Sequence, residues 1–386
     1  MGFLTIRTRL MIMLLFVSLL ACAVLGYLGS TYGKKVIEKE VTDQLKLVRN
    51  AKKSQIEFYL SDIAHFVEVM GQNNMVIEAT REFKRAFQKL STEKLDANCN
   101  ERLDKHYELF IDKLAANVDV KKDLDLYKPK TLEGCYLQFE YIVDNPNPLG
   151  EKDKLLNAND DSEYNEVHQK YHEYFNMLIR KFNFYDVFLV DLETGNIVYT
   201  AYKETDFATS LYYGPYRSSN LADLARKLQS NADLEAATWV DFASYRPSYG
   251  APAAFVGVPL TDENGLTVGG LCFQLPVDEI NGIMTGYENW EEDGLGESGE
   301  TYLVGEDFMM RSISRFYLQD TLGYTDALLK LGERQEDIDR MYRFGTTILQ
   351  QRIRSEGVLE ALEGKTDVKI IKDYRGVPVV SAYSPL

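Results

Sequence analysis

Cysteine is scarce in this chain, four in 386 residues, which excludes a small disulfide-built scaffold. Cys22 and Cys272 stand in apolar stretches and read as buried thiols. Export would permit Cys99 and Cys135 to pair, but spacing alone does not place them together. Basic charge is short as well: Lys and Arg total 43 against 59 Asp and Glu, a formal net charge of −16. So acidic a surface argues against nucleic acid and against broad docking on anionic lipid, since both need positive charge. No serine or cysteine sits in a recognisable nucleophile motif, and no carboxylate pair is singled out for glycosidase chemistry. Nothing here argues for an enzyme, and no cofactor is expected. What the chain does have is 45% hydrophobic and 12% aromatic residues, enough to build real cores, at a length that allows two or three domains.

One apolar run dominates the N-terminus. Residues 10–29 carry no charge and match the ~20 residues needed to span a bilayer core. Arg7 and Arg9 precede the run and Lys34, Lys35 and Lys39 follow it, so flanking charge alone does not orient it. A short tail before a long acidic body favours a cytoplasmic segment 1–9 and a body outside the cytoplasm. Ala21-Cys22-Ala23 resembles a signal-peptidase site and Leu19-Leu20-Ala21-Cys22 a lipobox, yet the apolar run continues through Val24, Leu25, Tyr27 and Leu28. The expectation is an uncleaved, single-pass inner-membrane anchor.

A helical stripe follows. Val41, Leu45, Val48, Ile56, Tyr59, Ile63, Phe66 and Met70 recur mostly at three- or four-residue steps across a helix of roughly 50 Å. Such a face packs on its own domain, or serves as a homodimer seam, or does both at different heights. Gly71-Gln72-Asn73-Asn74 interrupts the pattern, and helix signals resume to about residue 90, giving a stalk over 30–90. Between 91 and 160 the chain is charged and uneven, with helix near 103–114 and a turn at Asn145-Pro146-Asn147-Pro148. Asp160, Asp161 and Ser162 then cap a helix whose apolar face is Tyr164, Val167, Tyr171, Phe175, Leu178 and Phe182.

Strand signals begin at 186–190, turn through Asp191-Leu192-Glu193-Thr194-Gly195, and return over 196–201. A helix at 220–228 precedes strands at 238–244, 253–259 and 267–275. Strand pair, helical crossing and three antiparallel strands is the order of a PAS-like sheet. A second, weaker copy follows, with strands expected at 301–304, 309–312, 368–373 and 377–383. Gly250-Ala251-Pro252 with Pro259-Leu260 is echoed by Gly376-Val377-Pro378 with Pro385-Leu386. The second copy is therefore expected to be incomplete, lacking its closing hairpin.

Several motifs weaken on inspection. Gly294-Leu295-Gly296-Glu297-Ser298-Gly299 matches G-x-G-x-x-G, but it does not link a strand to a helix as a phosphate loop must, and it reads as a turn. His168 and His172 have zinc-ligand spacing without a third ligand in view. The acidic stretch 157–161 lacks the glycine and terminal glutamate of a calcium loop. A polar-aromatic cluster remains. Tyr212, Tyr213, Tyr216 and Arg217 occupy the crossing segment, and Trp239, Asp241, Tyr245 and Ser248 follow the next strand into its turn. Aromatic walls with one arginine suit a small ligand carrying a carboxylate, which guanidinium grips in bidentate fashion.

These features together resemble the extracytoplasmic double Cache sensor region of bacterial chemoreceptors and receptor-type nucleotide cyclases. The resemblance is carried by Tyr185-Asp186-Val187-Phe188-Leu189-Val190, Lys203-Glu204-Thr205-Asp206-Phe207, Gly299-Glu300-Thr301-Tyr302-Leu303-Val304 and Asp373-Tyr374-Arg375-Gly376-Val377-Pro378-Val379, over residues 35–386. It implies an α+β chain: an N-terminal transmembrane helix, a long stalk helix, a membrane-distal PAS-like ligand module at 91–285 and a truncated membrane-proximal one at 286–386. It also implies a homodimer that reports ligand binding across the membrane, here without an output domain. Amino-acid-binding members carry tyrosine, arginine five positions on, and tryptophan two further. Tyr212 and Arg217 fit this spacing, but Ser219 stands in the tryptophan's place. Gln274 stands where those members use an aspartate for the ligand's ammonium group. The resemblance therefore implies a carboxylate or small polar metabolite rather than a standard amino acid. An extracytoplasmic metal-dependent hydrolase and a ligand-free dimerisation stalk are the alternatives.

Overall fold

A computed structural model describes residues 5–92, 95–230, 236–290 and 292–386. Its spine is one helix, α1 (Ile6–Gly71), 66 residues or about 100 Å long. The anchor and the stalk are thus a single uninterrupted rod. It is long and apolar enough near its start to cross a membrane, and every residue from 10 to 30 is exposed there. Cys22, expected to be a buried thiol, is exposed with its neighbours because no other element of the chain packs on this stretch. The rod stops where the four-residue interruption stands. Asn73 then accepts a hydrogen bond from the Met75 amide at 2.9 Å and starts α2 (Asn74–Lys89).

The stripe read from the sequence packs on the chain itself from Ile56 onward, whereas Val41 below it is exposed. Ile56 and Ile63 are buried, with Tyr59, Phe66 and Met70 against the same core. α2 continues that layer, followed by α3 (Ala97–Asn117), α4 (Leu132–Gln138) with a π turn at Phe139–Val143, and α5 (Glu163–Lys181). Ser162 caps α5, its hydroxyl oxygen accepting from the Asn165 amide at 3.1 Å. Phe83 of α2 joins α5 to the sheet, its ring centroid 5.4 Å from Tyr164 and 4.7 Å from Tyr199.

The sheet itself holds β1 (Asp186–Val190), β2 (Ile197–Thr200), β3 (Thr238–Tyr245), β4 (Ala251–Thr261) and β5 (Thr267–Gln274), with α6 (Asn220–Ser230) between β2 and β3. Its order is β2-β1-β5-β4-β3, antiparallel throughout, so the last strand lies centrally. One face packs on α1, α2 and α5. The other carries Phe188, Val190, Cys272 and Phe255 against α6 and the crossing segment between β2 and α6. Cys272 is buried there, whereas Cys99 and Cys135 are free thiols.

Beyond α7 (Val277–Thr285) the chain departs from expectation. The strands expected at 301–304 and 309–312 are reduced to isolated bridges, Val304 to Met310 and Met309 to Arg352. Phe308 takes a left-handed φ of 67°, which turns the chain out of extended geometry before a ladder can form. Short helices follow, α8 (Arg315–Gln319), α9 (Thr321–Lys330), α10 (Gln335–Phe344) and α11 (Glu356–Leu362), then a separate hairpin of β6 (Asp367–Lys372) and β7 (Pro378–Tyr383). The hairpin leans on the spine, where Lys53 Nζ donates to the Pro385 carbonyl at 2.6 Å.

Candidate ligand-binding site

Because side chains alternate across a strand, residues opposite one another in register share a face. Asp186, Gln274 and Phe255 stand in one such row, with Phe255 beside Val240, all towards the crossing segment. The crossing segment returns Glu204, Thr205 and Asp206 to this side of the sheet, while Lys203 turns towards the rings of the helical side. Lys203 turns at φ 63°, and its ammonium donates to the Thr200 carbonyl while sitting 4.5 Å from the Tyr199 ring and 5.2 Å from that of Phe207. Asp186 accepts from Thr200 and from the amides of Val187, Ala201 and Tyr202. Burial raises the Asp186 carboxyl and lowers the Lys203 ammonium, each opposing its charged form.

Three residues of the predicted cluster converge on these groups. Tyr216 donates to Thr205 Oγ1 at 2.6 Å, Tyr245 to Asp206 Oδ2, and Ser248 to Glu204 Oε2 at 2.6 Å. Burial, reinforced by Asp206, pushes Glu204 up to about 8 against the pull of the Ser248 hydrogen bond. Asp206 rises to about 6 by burial, opposed by the Tyr245 hydroxyl, and among the described residues its Oδ1 has no partner. Gln274 Oε1 is likewise buried without one. Two unanswered acceptors therefore stand in one polar layer.

The other predicted residues lie apart. Successive turns fan the crossing segment's side chains in different directions, with Ser210 Oγ accepting from the amides of Tyr212 and Tyr213. Tyr212 is half-buried and donates to the Leu192 carbonyl at 3.1 Å. Tyr213 is 84% exposed, and Arg217 is exposed with its guanidinium on the Gly214 carbonyl at 3.3 Å. Trp239, grouped with the lid from sequence, packs on the helical side of the sheet, since it alternates with the lid-facing Val240. Asp241 sits where the β3–β4 register shifts, and it accepts from Arg311 of the C-terminal part at 3.1 Å.

At the edge of the crossing segment a crevice of about 260 Å³ opens above Tyr216. Ser218, Ser219, Ser244, Asp119 and Arg246 line it. Among the described residues neither Asp119 nor Arg246 makes an ion pair. Sequence reasoning missed Arg246 because it sought the cation in the crossing segment; adjacency to the cluster's own Tyr245 was the available signal. It also missed the carboxylates, although Lys203-Glu204-Thr205-Asp206 is a dense polar run directly after a strand.

His168 and His172 stack at 4.1 Å between ring centroids. His172 spends both nitrogens inside the protein, on Tyr199 Oη at 2.7 Å and the Asp153 carbonyl at 2.6 Å. His168 Nδ1 faces the Leu156 carbonyl at 3.1 Å. Their geometry is that of core packing, and among the described residues no group of three His, Cys, Asp or Glu side chains is placed to hold a metal ion.

No family model matches this chain, and no curated protein matches it. Among solved structures, the sensor domain of the V. cholerae histidine kinase DctB is similar at 10% identity, over 73% of this chain and 90% of that one, with a TM-score of 0.30. Likeness of that degree carries nothing across about ligand or mechanism.

Proposed function

We propose that this chain is a membrane-anchored sensor module, held by residues 10–29 of α1, with its body outside the cytoplasm. Its distal part, 91–285, binds a small polar metabolite carrying a carboxylate, and 286–386 forms the proximal part. The observation that carries the reading is the crevice over Tyr216, which joins a free guanidinium to the hydroxyls of Ser218, Ser219 and Ser244. Below it the Tyr216 hydroxyl leads directly into the buried carboxylate layer. A carboxylate on Arg246 would meet charge-assisted hydrogen bonds, and Asp119 offers a counter-charge for a donor at the other end of the solute. Occupancy would bias the packing of the crossing segment, a shift of population rather than chemistry.

Homodimerisation fits the same reading. Leu47, Phe58 and Val69 remain exposed at every eleventh residue, about three helical turns apart and so along one line of α1. This line is distinct from the stripe that packs on the chain itself.

The test is a thermal-shift screen of the full chain in lipid nanodiscs against carboxylates, amino acids and purines. A carboxylate should raise the melting temperature, and Arg246→Ala should abolish the shift while Arg217→Ala leaves it. A screen without shifts would leave the ligand-free stalk.

A further inference from the structure

A second concavity, of about 380 Å³, shares no lining residue with the lid crevice. It lies where α3 faces the π turn, the segment around Leu149 and Lys152, and Tyr249 beyond β3. Arg102, Lys105, His106 and Lys113 fall on one face of α3, the last three following Arg102 by three, four and eleven residues, and all line it. Lys152 closes the opposite side. In a chain with 59 carboxylate side chains, this lining holds four formal cations and not one acid.

Two of those cations are answered locally. Arg102 pairs with Asp144 at 2.7 Å and Lys105 with Glu101 at 2.8 Å. The other two are not. Lys152 donates to the neutral Asn145 carbonyl at 2.8 Å, Lys113 stands 5.8 Å from the Tyr249 ring centroid, and among the described residues neither pairs with a carboxylate. His106 lines the same concavity, and among the described residues its buried Nε2 has no partner. Burial, then Lys152, then Lys113 push its imidazole down to about 4. Like charges gathered without a counter-charge are costly, and an anion seated among them removes that cost.

The remaining lining is apolar. Phe110 and Tyr249 approach to 5.3 Å between ring centroids, with Ile142 and Val143 of the π turn alongside. Tyr249 reaches this position at a left-handed φ of 54°, a conformation costly for an aromatic residue. The π turn is closed by the Asp144 amide on the Phe139 carbonyl at 2.8 Å, one residue wider than an α turn. Two unusual backbone conformations thus aim side chains into the same concavity.

We propose that this groove is a second binding site, for an organic anion with a carboxylate or phosphate head and an aromatic or branched aliphatic body. The head lies between Lys113, Lys152 and His106 Nε2, and the body lies on Phe110, Ile142 and Tyr249.

Isothermal titration of the full chain in nanodiscs tests this with phenyl phosphate, benzoate, benzylamine and inorganic phosphate. Phenyl phosphate or benzoate should bind at one site, inorganic phosphate more weakly, and benzylamine not at all. Lys113→Gln with Lys152→Gln should weaken the anion by at least about tenfold. Lys113→Gln alone, at an exposed side chain, should give part of that loss. Arg246→Ala should leave it unchanged, which separates this groove from the lid crevice. The assignment is overturned if neither aromatic anion binds, if the double variant binds as tightly as the parent, or if inorganic phosphate matches phenyl phosphate.

Discussion

Glu204 shows how one side chain couples the crossing segment to pH. It accepts from Ser248 and from Tyr185 at 3.2 Å, yet burial and the neighbouring Asp206 favour its neutral form, raising it from 4.5 to about 8. A carboxyl raised on folding stabilises fully below its unfolded value, near 4.5, and that contribution is lost as pH climbs through about 8. Glu204→Gln removes the charge and keeps a carbonyl acceptor for one of the two hydroxyls, which fall on different carboxylate oxygens, while the other must turn to accept from the amide NH2. Relative to the parent, the variant's stability against thermal unfolding should rise steadily from pH 4.5 towards pH 8, by roughly 1–2 kcal/mol, discounted because the residue keeps some contact with solvent. Equal pH profiles in the two proteins would show that Glu204 ionises freely. At this scale the candidate site was half legible in the sequence. Tyr216, Tyr245 and Ser248 were visible as polar groups near an expected lid, and they do meet. Tyr213 and Arg217 were equally visible, but which residues of a turn point inward depends on the turn, and no sequence period encodes it.

Among the elements, α1 is the most demanding, because it must lie close to the sheet without a gap. A Cβ added at Gly71 would stand 2.6 Å from Val258 Cγ2 of β4. Gly71→Ala should therefore destabilise the chain by about 1–3 kcal/mol in chemical denaturation, and adding Val258→Ala should recover part of that loss. The proposed dimer seam concerns the opposite side of the same rod. Phe58→Asp places a charge in the line of Leu47 and Val69 and should convert a dimer to a monomer in light scattering, with the fold intact by circular dichroism. A monomeric parent would remove the seam. The elements of the sheet were well marked in the sequence: strands at 186–190, 238–244, 253–259 and 267–275 all formed, displaced at most by a few end residues. Alternating apolar residues between turn signals carry that information locally. The segment 301–312 carried a similar pattern but lacked a neighbouring strand to complete its backbone hydrogen bonds. Isolated bridges were the result.

At the scale of the whole molecule, α1 touches every layer and holds both parts of the chain. Lys52 is the tightest of these ties. Its ammonium, with the side chain 8% exposed, donates to the Ile283 carbonyl at 2.7 Å, just inside the end of α7, and to Asp293 at 2.6 Å in the turns beyond. Those turns begin the C-terminal part, so one lysine fixes the point where the chain leaves the sheet. Arg311 adds a second tie, reaching Asp241 of β3 and Asp307 at 3.0 Å each. The two ties are chemically unequal. Losing Asp241 leaves the Arg311 guanidinium still paired with Asp307, whereas losing Asp293 strands a buried ammonium on a lone carbonyl. Asp293→Asn should therefore cost more than Asp241→Asn, about 2–4 kcal/mol against about 1. A cycle with Lys52→Met discriminates tie from coincidence. Lys52→Met alone removes the buried charge and leaves Asp293 half in water, so it should cost less than Asp293→Asn. The double variant should then be more stable than the sum of single losses predicts, by about 1–3 kcal/mol. Proteolysis at 286–300 should rise in Asp293→Asn and fall back when Lys52→Met is added. If the two changes prove additive, Lys52 and Asp293 act independently, and the junction is held by packing of α7 on the spine instead.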